Sequence, residues 1–385
     1  MTVLAVAALS ARMLAEAARV DGFDVIALDV FGDADTRRAC SSWMPIGAPE
    51  TLRIDAELLL SALAALAQCG DVLGWVAGSG FDGQPDLLAR GAALLPLIGT
   101  PADAQRQVRD PQALFDVLDH DGIAHPPVRM TAPVDAAGWL VKDAWGCGGW
   151  HIRRAIAGDP TPAHLAAHLA PHLPAHHYFQ REVPGTPMSA TFIANGSDAC
   201  VLGFNELTVR RFGARPFVFC GAVGPVALPP EVTQRIVAAV RGLAAAFALR
   251  GLASLDFMLD GAAFSVLEVN PRPPASMALY GRHGVVAAHL RACLHGELPL
   301  GSSVSLIDAV HGTEIVFASR PTRFDAPAAL RLAGLAECHD LPFAATHFNA
   351  ADPVCSVSAR GDTAAQVRGM LAQRCAAVHQ FLETL

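Results

Sequence analysis

Apolar and polar positions alternate along the first hundred residues in the rhythm of a parallel sheet covered by helices. Short apolar runs predict strands at residues 3–8, 25–30 and 72–77, and apolar positions at helical spacing predict helices at 10–20 and 58–68. Strands that alternate with helices in this order are typical of an α/β domain. The most apolar helical run, residues 58–68, is too short to span a bilayer, so we expect no membrane segment.

The turns after the first two strands indicate what this region can bind. Residues 7–10 lack the G-x-G-x-x-G sequence of a dinucleotide site, so a Rossmann cofactor is not expected. Residues 31–36 place Asp33 and Asp35 at the carboxyl end of a strand, where open α/β sheets bind ligands. A ligand contact and a capped loop both explain these two acids, and we favour the capped loop.

Short strands replace this rhythm after residue 127. Helices are predicted at 112–119, just before the change, and near 162–170, within the new segment. The mixture indicates a small α+β unit. Its predicted strands are residues 128–130, 139–142, 150–154, 177–183, 188–194 and 199–204.

Four histidines recur at four-residue steps around the second of these helices. Such spacing is typical of metal ligands on one helix face. Pro171 and Pro174 break the helix between them, however, so we favour a solvated helix face. The four residues are His164, His168, His172 and His176.

A long helix and a β-hairpin dominate the next segment. Residues 230–248 carry apolar side chains at helical spacing. The pair Asp260-Gly261 is a tight-turn signal that joins predicted strands at 252–259 and 264–269. The remaining predictions are a helix at 285–294, strands at 312–319 and 353–359, and a helix at 363–382.

The first candidate for chemistry is Lys142, the single lysine among 28 lysine and arginine residues. It ends an apolar strand, and a turn with Gly146, Gly148 and Gly149 follows it. A compact ammonium fits a tight phosphate site better than arginine's planar fork, and glycines let backbone N–H groups approach a phosphate closely. The segment predicts a nucleotide-phosphate site; the alternative is a surface lysine beside a flexible turn.

Oxygen-bearing side chains gather on the predicted hairpin. Glu268 and Asn270 point to one face of their strand because side chains alternate, and Asp256 on the partner strand can face them. Donors of this kind suit Mg²⁺, which is usually shared with substrate phosphates. Arg272 follows at a turn, well placed for a phosphate oxygen. A polar outer face is the alternative, but it does not explain Glu-x-Asn-Pro-Arg at the end of an apolar strand.

Composition narrows the class of protein. The 385 residues suffice for two or three domains, and 52% hydrophobic residues supply a large core. The net charge is −8 and no arginine stripe contains interleaved aromatics, so nucleic-acid binding is not expected. Nine cysteines without a C-x-x-C pair indicate a reducing, cytoplasmic compartment. No basic region precedes the first apolar run, which argues against a signal peptide.

Together these residues resemble the ATP-grasp superfamily from about residue 99 to residue 296, and most closely its biotin-carboxylase-related carboxylate–amine ligases. The resemblance implies an ATP-grasp fold of mixed α/β and α+β character. Its parts would be a Rossmann-like pre-ATP-grasp domain at 1–100, an ATP-grasp domain at 101–304 with a lid at about 128–183, and a β-rich appendage at 305–385. The segments that carry it are residues 10–12, 31–36, 216–221, 268–276 and 352–356.

The resemblance also implies individual roles. A lid lysine and a glycine loop hold the ATP phosphates, a hinge strand presents main-chain groups to adenine, and an acid with Glu-x-Asn binds Mg²⁺, for which Mn²⁺ can substitute. The matching residues are Lys142, Gly146, Gly148 and Gly149 for phosphate, Arg181, Glu182 and Val183 in the hinge, Asp256, Glu268 and Asn270 for the metal, and Lys142 with Arg272 for catalysis.

Two positions depart from the family pattern. A second lysine is expected near residues 109–111, but Pro111 stands there, so a phosphate contact is lost or passes to Arg109. The acid that binds the ribose is absent from the dipeptide 187–188, which leaves Ser189 or Glu182 as substitutes.

The predicted activity is ATP-dependent joining of a small-molecule carboxylate to an amine through an acyl phosphate, with release of ADP and phosphate. Some relatives perform tyramine–glutamate ligation in one-carbon cofactor, methanofuran-type biosynthesis, and related folds are often homodimers. The alternatives are carboxylation or phosphorylation without amide formation, and a non-catalytic nucleotide-binding regulator. Arg210, Arg211 and Arg215, in a predicted loop, either hold an anionic substrate or form an ordinary charged loop.

Overall fold

The structure is a computed structural model that describes residues 1–157, 176–280, 284–299, 309–343 and 345–385. The N-terminal part is a parallel sheet in the order β3-β2-β1-β6 with helices around it, as its sequence pattern predicts. A short antiparallel pair, β4 and β5, lies beside it. The elements are β1 (Val3–Ala8), α1 (Arg12–Val20), β2 (Asp24–Asp29), α2 (Ala34–Ala39), β3 (Ser42–Pro45), β4 (Gly47–Ala48), β5 (Arg53–Ile54), α3 (Ala56–Cys69), β6 (Val72–Ala77) and α4 (Pro85–Ala92).

A four-stranded antiparallel sheet follows, in the order β7-β10-β8-β9; we call it the lid sheet. The strand predicted at 150–154 is shorter than expected, because Gly148 and Gly149 adopt positive φ angles and extend the turn. The helix predicted near 162–170, with His164, His168 and His172, lies outside the described residues. The elements are α5 (Ala102–Val108), α6 (Pro111–His120), β7 (Val128–Arg129), β8 (Trp139–Asp143), β9 (Arg153–Arg154) and β10 (His177–Arg181).

An eight-stranded sheet, the large sheet, forms the rest of the fold in the order β15-β14-β11-β12-β13-β16-β20-β18. A short 3-10 helix at Ala275–Leu279 follows β15, and β17 (Thr322–Arg323) pairs with β19 (His347–Phe348) apart from the sheet. The other elements are β11 (Thr186–Asn195), β12 (Ala199–Phe212), β13 (Arg215–Gly224), α7 (Pro230–Ala246), β14 (Arg250–Asp260), β15 (Ala263–Asn270), α8 (Val285–His295), β16 (Val310–Phe317), α9 (Ala326–Ala333), β18 (Cys338–His339), β20 (Pro353–Gly361) and α10 (Ala364–Glu383).

The loop predicted around Arg210, Arg211 and Arg215 is wrong. These residues end β12 and begin β13, which form a hairpin around Gly213 at a φ of 58°. The α7 prediction is confirmed, because its apolar stripe is buried against the large sheet. That stripe comprises Val232, Ile236, Val240, Leu243 and Phe247.

The acidic turn after β2 joins the two ends of the chain. Asp35 accepts hydrogen bonds from the backbone N–H groups of Asp340 (2.7 Å) and Leu341 (3.0 Å). The buried Arg12 guanidinium contacts Asp340 at 2.8 Å and Asp35 at 3.6 Å. Asp35 is therefore a structural residue, as the capped-loop interpretation favours. Within the described residues, no helix is long and apolar enough to cross a bilayer.

Candidate active site

A cavity of about 490 Å³ lies between the lid sheet and the large sheet. Ten of the eleven residues predicted for the site line it. The exception is Gly146, whose carbonyl oxygen instead accepts a hydrogen bond from Arg109 at 2.5 Å. The ten are Lys142, Gly148, Gly149, Arg181, Glu182, Val183, Asp256, Glu268, Asn270 and Arg272.

Lys142 reaches this cavity from β8, where it pairs across the ladder with Tyr178 and is only 5% exposed. Its ammonium group donates to Gln180 Oε1 at 3.2 Å and lies 3.5 Å from Glu268 Oε2. Burial disfavours the ammonium, but Tyr178 and Glu268 outweigh burial and raise the pKa of Lys142. The lysine is therefore a fixed cation opposite the hairpin.

The three oxygen-bearing residues converge as the strand alternation predicts. Asp256 faces Glu268 directly across β14 and β15, and Ser254 faces Asn270. The Asn270 amide donates to Asp256 Oδ2 at 3.1 Å. Burial and the nearby Glu268 charge raise the pKa of Asp256 to about 7. Burial would also raise the pKa of Glu268, but Lys142 and Arg109 hold it below its usual value.

This donor set fits a divalent cation. Two carboxylates that crowd one face, with a proton held on one of them near neutral pH, are a site that a cation stabilises by neutralising both. The Asn270 amide lies beside them, with its Oδ1 atom 3.4 Å from an Arg109 nitrogen. The nearby Gln180 Nε2 is a buried donor without a partner among the described residues, and it suits an anionic ligand in the same cavity.

Arg272 is held by a residue from the N-terminal region. Its Nε atom donates to Asp82 Oδ1 at 2.8 Å, and Asp82 is buried. Burial alone would raise the pKa of Asp82, but the Arg272 and Arg109 guanidinium groups outweigh it and lower that pKa. The sequence prediction missed Asp82. Its signal was the glycine-rich turn after β6, at the carboxyl end of a parallel strand.

Arg109 lies where a second cation is expected. It is 6% exposed, and besides Gly146 it contacts Asn270 Oδ1 at 3.4 Å. Pro111 is the first residue of α6, capped by Asp110, and therefore starts a helix. The Arg109 Nε atom is buried without a partner in the described part of the chain. Arg109 thus joins the glycine turn to the hairpin of β14 and β15.

The glycine turn is docked on the first half of β13, before the residues that pair with β16. The Phe219 N–H group donates to Gly148 O at 2.9 Å. Gly149 has a φ of 75°, and a Cβ atom there would lie 1.9 Å from Phe217 O. No other residue type fits this position without moving the turn. The turn consequently covers the cavity from the side opposite to the hairpin of β14 and β15.

The hinge residues line the same cavity. The backbone N–H groups of Arg181 and Glu182 already donate to Pro127 O (2.8 Å) and Gly138 O (2.9 Å). An adenine contact by Arg181 would therefore have to use its carbonyl oxygen. The Glu182 carboxylate is paired with Arg154 at 2.8 Å. Ser189, the other substitute for a ribose-binding acid, is buried and lines the cavity.

Part of the chain is similar to a known domain family. Residues 108–276, less than half of the chain, match the family model of the ATP-grasp domain. The carbamoyl phosphate synthase large chain of Thermomicrobium roseum is 24% identical over 224 residues, which is 52% of this chain. The match spans only 21% of that relative, so the chain corresponds to about a fifth of its length.

Solved structures show the same fold across nearly the whole chain. Biotin carboxylase from Campylobacter jejuni superposes with a TM-score of 0.72 at 14% identity, covering 96% of this chain and 89% of its own. L-amino acid ligase from Bacillus licheniformis gives 0.69 at 14% identity, with 97% of each chain covered. N5-carboxyaminoimidazole synthase from Aspergillus clavatus gives 0.66 at 14%, covering 98% and 99%. The chain therefore has the ATP-grasp fold.

Proposed function

We propose that this protein is an ATP-dependent ligase that joins a small-molecule carboxylate to an amine through an acyl phosphate. The observation that carries the proposal is the meeting of Lys142 with the Asp256–Glu268 pair in one cavity, with 3.5 Å between Lys142 Nζ and Glu268 Oε2. A cation opposite an oxygen-donor cluster is the arrangement that phosphoryl transfer requires, since catalysis there is mainly positioning and charge neutralisation.

Each residue then has a defined task. Lys142 and the N–H groups of the Gly148–Gly149 turn stabilise charge on the transferred phosphoryl group, and Arg272, fixed by Asp82, orients the attacking carboxylate. Asp256, Glu268 and Asn270 would hold Mg²⁺ or Mn²⁺, which supplies charge neutralisation on the triphosphate. The hinge at 181–183 would hold adenine, with Glu182 or Ser189 at the ribose.

The glycine turn would protect the reaction intermediate from water. An acyl phosphate hydrolyses in water, and the contact of Gly148 with Phe219 covers the cavity where it would form. An amine attacks its carbonyl carbon, phosphate leaves, and an amide results. A neutral amine needs no dedicated general base. We propose residues 128–183 as the moving lid, within an ATP-grasp domain at 101–304 that lies between parts at 1–100 and 305–385.

Three finer proposals accompany the activity. Tyramine–glutamate-type ligation in one-carbon cofactor biosynthesis rests on the sequence resemblance alone, so glutamate and tyramine form one pair to be tested. Nine free cysteines support a reducing, cytoplasmic compartment. A homodimer is proposed by analogy with related folds.

The test is a screen of acids and amines with MgATP, measuring ADP and phosphate release. Acid-dependent ADP release that increases when an amine is added, together with an amide product, supports the ligase. Turnover with bicarbonate in place of an organic acid would assign carboxylation instead. ATP binding by calorimetry without turnover on any acid would assign a regulatory nucleotide-binding protein.

A further inference from the structure

One wall of the cavity, beside the glycine turn, is apolar. It comprises Leu207, Val209, Phe217 and Phe219, which we call the apolar wall. Val209 faces Phe219 directly across β12 and β13, and all four side chains are half-buried at the cavity surface. An apolar surface kept open inside an active-site cavity is available for a ligand group that also prefers to leave water.

The apolar wall is separate from the hairpin of β14 and β15, which carries the residues proposed to bind the metal ion. In the large sheet, β12 and β13 are the third and fourth strands away from β15, which carries Glu268. The four side chains of the wall carry no charge and no hydrogen-bonding group, so the ligand group that packs on them is apolar and is not the triphosphate beside Lys142 and Glu268. The hinge at residues 181–183, which would hold adenine, joins β10 to β11 and contributes none of the four wall residues.

The charged residues of the same hairpin have other contacts. Arg210 is ion-paired with Glu314 on β16, and the Arg215 guanidinium lies 5.3 Å from the Trp150 ring centre. Arg211 donates to Gly213 O at 2.9 Å. None of these three arginines lines the cavity. The alternative in which they hold an anionic substrate therefore has no support in their placement.

Arg272 connects the two ends of this site. It lines the cavity just after the end of β15. The residues that follow it also line the cavity: Pro274, Ala275 and Ser276. The 3-10 helix that begins at Ala275 packs near the apolar wall, since Met277 and Phe219 belong to one hydrophobic cluster. A carboxylate at Arg272 would direct the remainder of its molecule towards this wall.

Building on the proposed ligase function, we infer that the acid substrate is a carboxylate with an aliphatic or aromatic group and no second negative charge. Its carboxylate lies at Arg272 and its apolar group lies on the apolar wall. A second carboxylate on this wall would lose its water without gaining a cation, so glutamate should be a poor substrate. An apolar acid substrate therefore argues against the tyramine–glutamate pair, which rests on the sequence resemblance alone.

The experiment measures acyl-phosphate formation without requiring the natural amine. The carboxylate attacks the γ-phosphorus of ATP and ADP leaves; hydroxylamine then attacks the acyl carbon and phosphate leaves, which gives a hydroxamate. The acids are phenylalanine, leucine and their des-amino analogues 3-phenylpropionate and 4-methylpentanoate, each compared with glutamate and glutarate. We expect kcat/KM for the best apolar acid to exceed that for the best dicarboxylate by roughly tenfold to a hundredfold.

Two variants locate the selectivity on the wall. Val209 and Phe217 lie outside the hydrophobic clusters of the core, so their substitution alters the cavity more than the fold. Val209→Arg should lower kcat/KM for the apolar acids about tenfold or more and raise it for glutarate. Phe217→Ala should raise KM for the apolar acids while KM for ATP stays within about twofold. Arg211→Ala is the matched control on the same hairpin and should leave the acid preference unchanged.

The outcomes separate this inference from the proposed function. Hydroxamate formation with a preference for apolar acids that Val209→Arg reverses supports both. Hydroxamate formation that favours glutamate or glutarate, or an Arg211→Ala variant that loses activity on dicarboxylates, overturns the apolar-acid inference and leaves the ligase intact. Absence of hydroxamate with every acid, while calorimetry shows MgATP binding, overturns the ligase and this inference with it.

Discussion

Lys142 and its ionic partner Glu268 belong to two different sheets that face one cavity. β8 holds the lysine in the lid sheet beside Tyr178 and Gln180, whereas Glu268 belongs to the large sheet. A lysine buried with these partners stays charged, because the pKa of Lys142 is raised and that of Glu268 is lowered. The residue type matters as much as the charge, since a guanidinium is wider than an ammonium.

Lys142→Ala should lower kcat/KM for ADP formation by about 100-fold or more, because a preorganised charge next to the phosphoryl group is lost. Lys142→Arg keeps the charge but not the shape and should recover only part of the activity. Steady-state ADP release measures both variants, and circular dichroism confirms that they fold. Near-normal turnover of Lys142→Ala would contradict the site.

Arg109→Met should raise KM for ATP by about tenfold, since it removes charge-assisted hydrogen bonds to Gly146 O and towards Asn270. Arg106→Met in α5, the helix that Arg109 caps at its C-terminal end, is the matched control. Arg106 is exposed and pairs only at the surface, with Asp86 and Asp103. If both substitutions change KM for ATP equally, Arg109 has no special role in positioning the glycine turn.

At the scale of elements, local patterns predicted the hairpin but not its partners. Alternation along β15 was enough to place Glu268 and Asn270 on one face. The β12–β13 hairpin was missed because its arginines and Gly213 have the composition of a charged loop, whereas contacts with Glu314 and Trp150 hold them in strands. Asp82 and Arg109 join the site only through tertiary packing, which no local periodicity encodes.

Helix α8 is attached to β14 by a buried histidine, and this attachment depends on pH. His289 Nδ1 accepts from the Leu252 N–H group at 2.8 Å, so Nε2 carries the proton that it donates to Ile98 O at 3.0 Å. Burial lowers the pKa of His289 from 6.5 to about 4. Between these values the unfolded chain binds a proton that the folded protein does not, so stability falls as the pH falls from 6.5 to 4.

We expect the free energy of unfolding to lose up to about 3 kcal/mol from this residue over that interval. The measurement is urea unfolding of the wild type and His289→Gln at several pH values. The unfolding free energy of the wild type minus that of His289→Gln should decrease as the pH falls, whatever the stability of the variant at neutral pH. The same substitution at exposed His120 is the control, and a difference independent of pH would refute the assignment.

At the scale of the whole molecule, both ends of the chain contribute to one body around the cavity. The C-terminal strands β16, β20 and β18 extend the large sheet, and Glu314 on β16 holds Arg210 at the end of β12. The N-terminal sheet supplies Asp82 to Arg272. The sequence pattern predicted three parts, and the tertiary structure joins them through single polar contacts and through a hydrophobic cluster that α1 and α8 share.

The Arg12–Asp35–Asp340 network gives this whole-molecule coupling a test. Asp35 accepts two backbone N–H groups of the C-terminal part, and Arg12 is buried beside Asp340. Asp35→Ala leaves those donors and part of the Arg12 charge without a partner, so it should destabilise the protein by about 2–4 kcal/mol. Glu16→Gln is the control, because Glu16 is a half-buried partner of the same arginine and accepts no backbone N–H group of the C-terminal part; it should cost less than about 1 kcal/mol.

Amide hydrogen exchange then distinguishes local from global coupling. Because β18 and β20 end the large sheet, loss of Asp35 should accelerate exchange in these strands and in α10 before it affects the hairpin β14–β15. ADP formation should persist under conditions in which the C-terminal part exchanges freely, until the Glu314–Arg210 contact is lost. Uniform acceleration across all strands would instead mean that the network stabilises the molecule as one cooperative unit, and equal effects of the two variants would mean that Asp35 joins nothing.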